Sequence, residues 1–177
     1  MTYTPIDDMY NEFKKIDNYL FTQKEQSYRN TITRHYRKAL LLSIASYYET
    51  KLIATLKQIV TANTNGKNIF SNFIYTMCLE RAYFRLFTWS DTTGNSFFGK
   101  FGTEFRDFMM KEVQNNSQLN EGIVAFTQLG KERNDMVHRD FCTYTLEKTE
   151  DEIYVLYQKS NYFIDNLQGY FEKFIKT

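Results

Sequence analysis

Residues 36–60 read YRKALLLSIASYYETKLIATLKQIV, and this stretch decides the fold class. Apolar side chains recur in it every three or four positions, and neither glycine nor proline occurs from about residue 24 to residue 63. Such a period places the apolar side chains on one face of an α-helix. The stretch therefore predicts one long helix against which the other elements pack.

Further helices are predicted on both sides of this long helix. Thr4 and Pro5 followed by Asp7 and Asp8 predict an N-terminal helix over about residues 5–22, because proline suits the first turn and acidic side chains favour the positive helix end. A third helix is expected to bury an apolar stripe made of Phe70, Phe73, Ile74, Met77, Phe84 and Phe87. The remaining helices are predicted over 103–114, over 118–138 with Ser117 as N-cap, and from near Thr149, where Glu152 completes a capping box.

These elements predict an all-α fold: a single-domain antiparallel helical bundle of about five to six helices spanning residues 1–177. The helix over about 5–22 is expected to pack on a bundle formed by residues from about 24 to 176. No internal repeat or long linker divides the chain. Residues 139–148 are expected to form a loop, because an isolated strand there would have no partner.

The composition excludes several classes of protein. The 22 Lys and Arg residues balance 21 Asp and Glu residues, so any nucleic-acid site must be local. With 16 Phe, 14 Tyr, one Pro and seven Gly, the chain is too aromatic for disorder and too poor in turn formers for a β-sandwich or barrel. Composition thus agrees with the helical periodicity.

The chain shows no signal for export, membrane insertion or a metal centre. Cys78 and Cys142 lie in no pairing motif, which argues against a disulfide scaffold and a cysteine zinc site. Residues 1–13 do not resemble a signal peptide, and the densest apolar segment, 39–48, is shorter than the roughly 20 residues that cross a bilayer. We therefore expect a cytoplasmic protein that does not enter the membrane and needs no metal or other cofactor.

The candidate site lies in residues 128–138, QLGKERNDMVH. The apolar stripe of this helix runs through Leu119, Ile123, Phe126 and Gly130 and then meets Arg133 and Val137. A guanidinium on such a stripe needs a partner or a ligand. Arg133 is therefore the first candidate functional residue.

Three residues close to Arg133 in the sequence lead to further predictions. Asn134 precedes His138 by one turn, which predicts a hydrogen bond that fixes the imidazole tautomer. Gly130 is expected to permit close approach of a neighbouring helix. His138 falls at the predicted helix C-terminus, where the helix dipole favours a protonated imidazole.

A purely structural interpretation of the same residues stays open at this stage. Arg133 would then form an ion pair with Glu49 or Glu132, and His138 would cap its helix. Glu49 either orients Arg133 from the long helix or is simply structural, and the structural role is the favoured interpretation for Glu49.

The Arg-Asn-x-x-x-His motif near the end of a late helix, after a long helix with the segment Ala45-Ser46-Tyr47-Tyr48-Glu49, resembles the HEPN (higher eukaryote and prokaryote nucleotide-binding) superfamily, and most of all its bacterial RiboL-PSP type. The resemblance runs from about residue 24 to the last helix, but only the short motif is specific. It implies a metal-independent endoribonuclease of toxin–antitoxin, abortive-infection or antiviral systems. It further implies a composite active site at a homodimer interface, with Arg133 and His138 catalytic and Asn134 as a supporting polar residue.

Elementary chemistry agrees with this implication. Cleaving RNA without a metal requires deprotonation of the 2′-hydroxyl, stabilisation of a negatively charged phosphorane and protonation of the leaving 5′-oxygen. His138 suits the proton transfers and Arg133 suits two-pronged phosphate binding. Because one chain supplies a single motif histidine, a homodimer meets the two proton-transfer roles most naturally.

A basic segment at the start of the long helix is the candidate RNA contact. Residues 24–38 carry five basic side chains and one acidic side chain, and we expect Arg34, Arg37 and Lys38 to contact the RNA backbone unless this is only a solvated face. His35 is interpreted as a surface histidine, and the aromatic residues around Gly94 mainly as core.

Two functional hypotheses follow. The first is the dimeric ribonuclease, whose partners are its RNA substrate, a second copy of the chain and a possible antitoxin or other regulatory protein. The second is a non-catalytic helical module that binds a partner protein or a nucleotide and uses Arg133 only to hold an anion.

Overall fold

The computed structural model describes residues 3–80 and 85–177, and every regular element among them is helical. The α-helices are α1 Pro5–Thr22, α2 Gln26–Asn63, α3 Ile69–Ile74, α4 Asn95–Phe98, α5 Thr103–Asn115, α6 Ser117–His138 and α7 Glu150–Ile175. A π-helix, Tyr75–Glu80, continues α3, and a 3-10 turn, Gly99–Phe101, follows α4. The all-α class is confirmed, and the loop expected over 139–148 contains no regular element.

The helix starts follow the capping chemistry of the sequence with one exception. Thr4 with Asp7 and Thr149 with Glu152 form the expected capping boxes of α1 and α7. At α6 the N-cap is Asn116 and the prediction of Ser117 is wrong. Residue 116 has extended backbone and its amide oxygen accepts from the Leu119 N–H at 3.1 Å, whereas Ser117 is already the first helical residue.

The long helix α2 contacts most of the other elements. Its buried residues are Lys38, Leu40, Leu41, Ile44, Tyr48, Leu52 and Leu56. Helix α1 lies against it through the stacked rings of Phe13 and Tyr36, whose centroids are 3.7 Å apart. The same helix reaches α7 through Tyr10 and Tyr154, stacked at 3.8 Å. Helix α1 is thus bound to two long helices by aromatic stacking.

Helices α6 and α7 pack closely because α6 carries a glycine at their contact. A Cβ on Gly122 would lie 3.1 Å from both the Lys159 carbonyl oxygen and the Phe163 amide nitrogen. The two helices are antiparallel, since Glu132 near the end of α6 pairs with Lys148 just before α7. Their contact surrounds a buried core that includes Leu119, Ile123, Phe126, Phe163, Ile164 and Leu167.

The third predicted helix forms only over Ile69–Ile74 and continues as the π-helix Tyr75–Glu80. Most of the stripe expected to be buried faces outward, although Phe87, which lies outside both helices, is buried as expected. Phe70, Phe73 and Met77 are 72%, 63% and 55% exposed, while Ser71, Tyr75 and Leu79 are buried. The Tyr75 hydroxyl bonds to the Lys57 carbonyl oxygen at 3.1 Å, which holds this face against the end of α2. The segment is also shorter as an α-helix than predicted, and Phe84 of the predicted stripe lies outside the described residues.

A buried hydroxyl connects α2 to α7. The Tyr48 hydroxyl lies 2.7 Å from the Tyr157 carbonyl oxygen, 2.6 Å from Ser160 Oγ and 3.1 Å from Asn161 Oδ1. Burial raises the pKa of the Tyr48 phenol far above its ordinary value, so the group stays protonated and donates a hydrogen bond. This connection fixes α2 at the residue next to Glu49.

We expect Tyr48→Phe to lower the free energy of unfolding by about 1–3 kcal/mol, because it leaves buried polar partners unsatisfied. Tyr28→Phe is the matched control, since Tyr28 is 65% exposed and its hydroxyl makes no hydrogen bond within the described residues. Urea unfolding of both variants measures the difference. Equal stability of the two would contradict the assigned role of the Tyr48 hydroxyl.

Candidate active site

A cavity of about 400 Å³ opens between α2 and α6 at the sequence-predicted site. Helix α2 lines it with Leu42, Ala45, Ser46, Tyr48 and Glu49, helix α6 with Phe126, Leu129, Gly130 and Arg133, and the segment before α4 with Trp89. The volume is within the range typical of small-molecule sites. The structure therefore places Arg133 and the Ser46–Glu49 segment in one cavity.

Arg133 has no protein partner in the described part of the chain. It forms neither an ion pair nor a hydrogen bond there, although it is half-buried. Glu132 instead pairs with Lys148, with Oε1 and Nζ 2.9 Å apart, and Glu49 is likewise unpaired among residues 3–80 and 85–177. Neither of the two structural ion pairs considered for Arg133 is formed, so its guanidinium is free to bind a ligand.

The glycine before Arg133 accommodates an indole ring and not a helix. A Cβ on Gly130 would overlap the six-membered ring of Trp89, so the expectation of a neighbouring helix at this position is wrong. The ring is further fixed by stacking on Phe87, at 5.1 Å between centroids. The close helix approach occurs at Gly122, two turns earlier.

The apolar stripe of α6 also ends differently from the prediction. Met136 is fully buried, whereas Val137 is 39% exposed. Helix α6 thus presents Leu129 and Met136 to the core, and Arg133 lies at the edge of this face. That position leaves the guanidinium half-buried and open to the cavity.

The structure places His138 apart from the cavity. It is the last residue of α6, its side chain is exposed, and it is not among the residues that line the cavity. Asn134 is half-buried, and the expected hydrogen bond between Asn134 and His138 is absent from the contacts of the described residues. His138 follows Arg133 by five positions, so the two side chains point about 140° apart around the helix axis. This angle accounts for their separation.

The three basic residues predicted to contact RNA differ in their surroundings. Lys38 is 3% exposed, and its ammonium donates to the Phe141 carbonyl oxygen at 2.6 Å and lies 4.9 Å from the centre of the Phe141 ring. Arg37 pairs with Glu150 at 3.1 Å. Arg34 is exposed and forms no ion pair within the described chain, and it lines a surface hollow together with Arg37.

This placement corrects the role expected for Lys38. A buried ammonium that anchors the segment after His138 does not face a nucleic-acid backbone. The prediction failed because a helical period alone did not show that the 139–148 loop covers this position. Arg34 keeps the exposure that a phosphate contact requires.

Other site types find little support in the described residues. No three His, Cys, Asp or Glu side chains among them cluster closely enough to hold a metal ion. His35 is exposed, as are the free thiols of Cys78 and Cys142. Across 3–80 and 85–177, no helix has the length and apolarity needed to span a membrane.

The architecture and cavity define an all-α domain in which α6 presents Arg133, unpaired within residues 3–80 and 85–177, to a cavity that it shares with α2. The sequence profile of the RiboL-PSP-HEPN family matches residues 7–173, and the chain belongs to this family of the HEPN superfamily. The resemblance proposed from the sequence is confirmed at the level of the family. No curated protein and no solved structure is significantly similar to the chain.

We expect Gly130→Ala to lower the free energy of unfolding and to alter Trp89 fluorescence. Overpacking costs about 1–3 kcal/mol and exceeds the gain of about 1 kcal/mol in helix propensity. Gly169→Ala on α7 is the matched control, because a Cβ there meets no atom within 4 Å and should stabilise the helix. Chemical unfolding followed by tryptophan emission tests this. Equal stabilisation by both substitutions would contradict the packing of Trp89 on Gly130.

Proposed function

We propose that this chain is a metal-independent endoribonuclease of the HEPN type, which cleaves RNA in the cytoplasm as a toxin or antiviral-defence effector. Its family supports the proposal, because HEPN domains are often ribonucleases, bind RNA and dimerise. The observation that carries it is the half-buried guanidinium of Arg133, which lines the cavity without a partner among the described residues. A planar cation in that setting suits a phosphate.

The proposed mechanism divides the work between the motif residues. Arg133 binds the non-bridging oxygens of the scissile phosphate and stabilises the negative charge that grows as the 2′-oxygen attacks phosphorus. His138 transfers protons, taking one from the 2′-hydroxyl or giving one to the departing 5′-oxygen. Asn134 supports the site with its polar amide. No metal is required in this scheme.

The position of His138 favours a site shared by two copies of the chain. Its exposed side chain lies at the end of α6, outside the cavity that Arg133 lines. Two proton transfers are met most naturally by two titratable groups, and each chain has one motif histidine. A two-fold interface brings the same patch of each copy together and supplies the second one.

An exposed apolar face favours contact with another protein, the basis of the alternative function. Ile69, Phe70, Phe73 and Met77 project from α3 and the π-helix, each more than half exposed. Contiguous exposed apolar surface commonly marks a protein interface. The alternative is therefore a non-catalytic HEPN module that binds a partner protein or a nucleotide. In the ribonuclease proposal, the same face suits an antitoxin or other regulator that restrains the enzyme.

We expect the wild-type protein to cleave a mixed RNA substrate in EDTA, and we expect Arg133→Ala and His138→Ala each to lower the rate about 100-fold or more. Arg106→Ala is the matched control, since its side chain pairs with Asp107 on α5 and does not line the cavity, so the rate should stay unchanged. Light scattering and thermal unfolding verify that all variants fold and have the same oligomeric state.

Two results would decide against the proposed composite site. Cleavage that persists in folded His138→Ala would remove the proposed proton-transfer group. A strictly monomeric wild-type protein would remove the composite site. Unchanged ligand or partner binding by His138→Ala, without any RNA turnover by the wild type, would support the non-catalytic alternative.

The basic segment gives a separate prediction for RNA affinity. We expect Arg34→Met to weaken binding of a labelled RNA and to reduce the slope of log affinity against log salt by about 1, because one phosphate contact is lost. Lys38→Met should leave both quantities unchanged, since its ammonium is bound to Phe141. Fluorescence anisotropy at several salt concentrations measures them. An equal loss of RNA affinity and of salt dependence in both variants would show that Lys38 reaches the RNA.

A further inference from the structure

The cavity between α2 and α6 contains two charges of opposite sign that do not pair with each other. Arg133 approaches from α6 and Glu49 from α2, both are half-buried, and neither forms an ion pair or hydrogen bond within the described residues. Partial burial of a charge without a partner costs stability. A ligand that satisfies both must offer an anionic group at one position and hydrogen-bond donors at another.

The wall beside these charges is aromatic and fixed in place. Trp89 packs against Gly130 and stacks on Phe87, with 24° between the ring planes, and it lines the cavity together with Phe126. Single-stranded RNA is commonly recognised by stacking its splayed bases on such side chains. The cavity thus combines an aromatic wall, a cation for a phosphate and an acceptor for the edge of a base.

The chemistry of Glu49 selects among the four bases. A carboxylate offers only acceptors. Guanine presents two adjacent donors on its Watson–Crick edge, the N1–H and the 2-amino group. Adenine and cytosine place a ring-nitrogen acceptor beside their amino group, and uracil flanks its single N–H with two carbonyl oxygens. Only guanine matches both oxygens of a carboxylate without repulsion.

We propose that this cavity binds a guanine nucleotide of the RNA substrate, with Glu49 accepting from the N1–H and 2-amino groups, Trp89 contacting the base and Arg133 holding the phosphate. Glu49 is then the residue that sets base specificity. The inference rests on the proposed function, because it assigns the substrate preference of the same site. Binding of a base is measurable without cleavage, so this inference and the proposed ribonuclease function can fail separately.

Trp89 is the only tryptophan of the chain, so its fluorescence reports on this cavity directly. We expect guanosine monophosphate to quench the Trp89 fluorescence. Its affinity should be at least about tenfold higher than that of inosine monophosphate, which lacks the 2-amino group. Adenosine monophosphate should bind still more weakly. Equilibrium dialysis of the same nucleotides gives the affinities without an optical signal.

Glu49→Gln tests the residue that carries the selection. It is nearly isosteric and breaks no contact within the described residues, so the variant should fold, and thermal unfolding verifies this. We expect the preference for guanosine over adenosine monophosphate to fall about tenfold or more. Glu147→Gln, at an exposed position in the loop before α7, is the matched control and should keep the wild-type preference.

Each outcome decides the proposal. Binding of guanosine and adenosine monophosphates with equal affinity, retention of the preference in Glu49→Gln, or binding of no nucleotide would overturn it. Cleavage of RNA in EDTA without preference for guanine would overturn this inference and leave the ribonuclease standing. Guanine binding that depends on Glu49, in a protein that cleaves no RNA, would support the inference and reject the ribonuclease.

Discussion

The contact between the Trp89 indole and the backbone of α6 at Gly130 determines the shape of the cavity. Any side chain at residue 130 would occupy the space of the ring. The ring in turn continues a run of aromatic contacts into the core, because Phe87 stacks on Phe97 at 4.5 Å and lies 4.9 Å from Phe126. Protein cores are densely packed and transmit strain. The wall of the cavity is therefore as rigid as the core behind it.

Buried contacts also fix the two helices that carry Arg133 and Glu49, the charges that have no partner among the described residues. Tyr48 connects α2 to α7 immediately before Glu49, and the close packing at Gly122 fixes α6, which carries Arg133, on α7. Preorganised charges of this kind lower the stability of the fold and favour ligand binding, and this combination is common in active sites.

The sequence predicted the helices and the central arginine because both follow local rules. The period of α2, the capping boxes at Thr4 and Thr149, and a guanidinium on the apolar stripe of α6 are visible without tertiary contacts. The inward face of α3 was mispredicted because Phe70 and Phe73 look like core by hydrophobicity, whereas Tyr75 is fixed by a hydrogen bond to α2. Burial and hydrogen bonding set that orientation, and apolarity alone did not.

The other differences between the predictions and the structure come from contacts between residues that are far apart in the sequence. Lys38 is covered by a loop a hundred residues further along the chain, and Trp89 reaches Gly130 from a separate segment. Gly130 inside a regular helix was the only sequence signal for the contact with Trp89, and it did not reveal which element approaches. Glu49 could be named as a neighbour of Arg133 from the sequence, but only the coordinates show that it has no partner within residues 3–80 and 85–177.

The chemical ends of the products test most directly the proposed cleavage of RNA by Arg133 and His138 through attack by the 2′-hydroxyl. Mass spectrometry of a short RNA cleaved in EDTA identifies both ends. Attack by the neighbouring hydroxyl leaves a 2′,3′-cyclic phosphate and a 5′-hydroxyl, which is the result we predict. Products with 5′-phosphate and 3′-hydroxyl ends would show that water attacks the phosphorus, and would contradict the mechanism assigned to these residues.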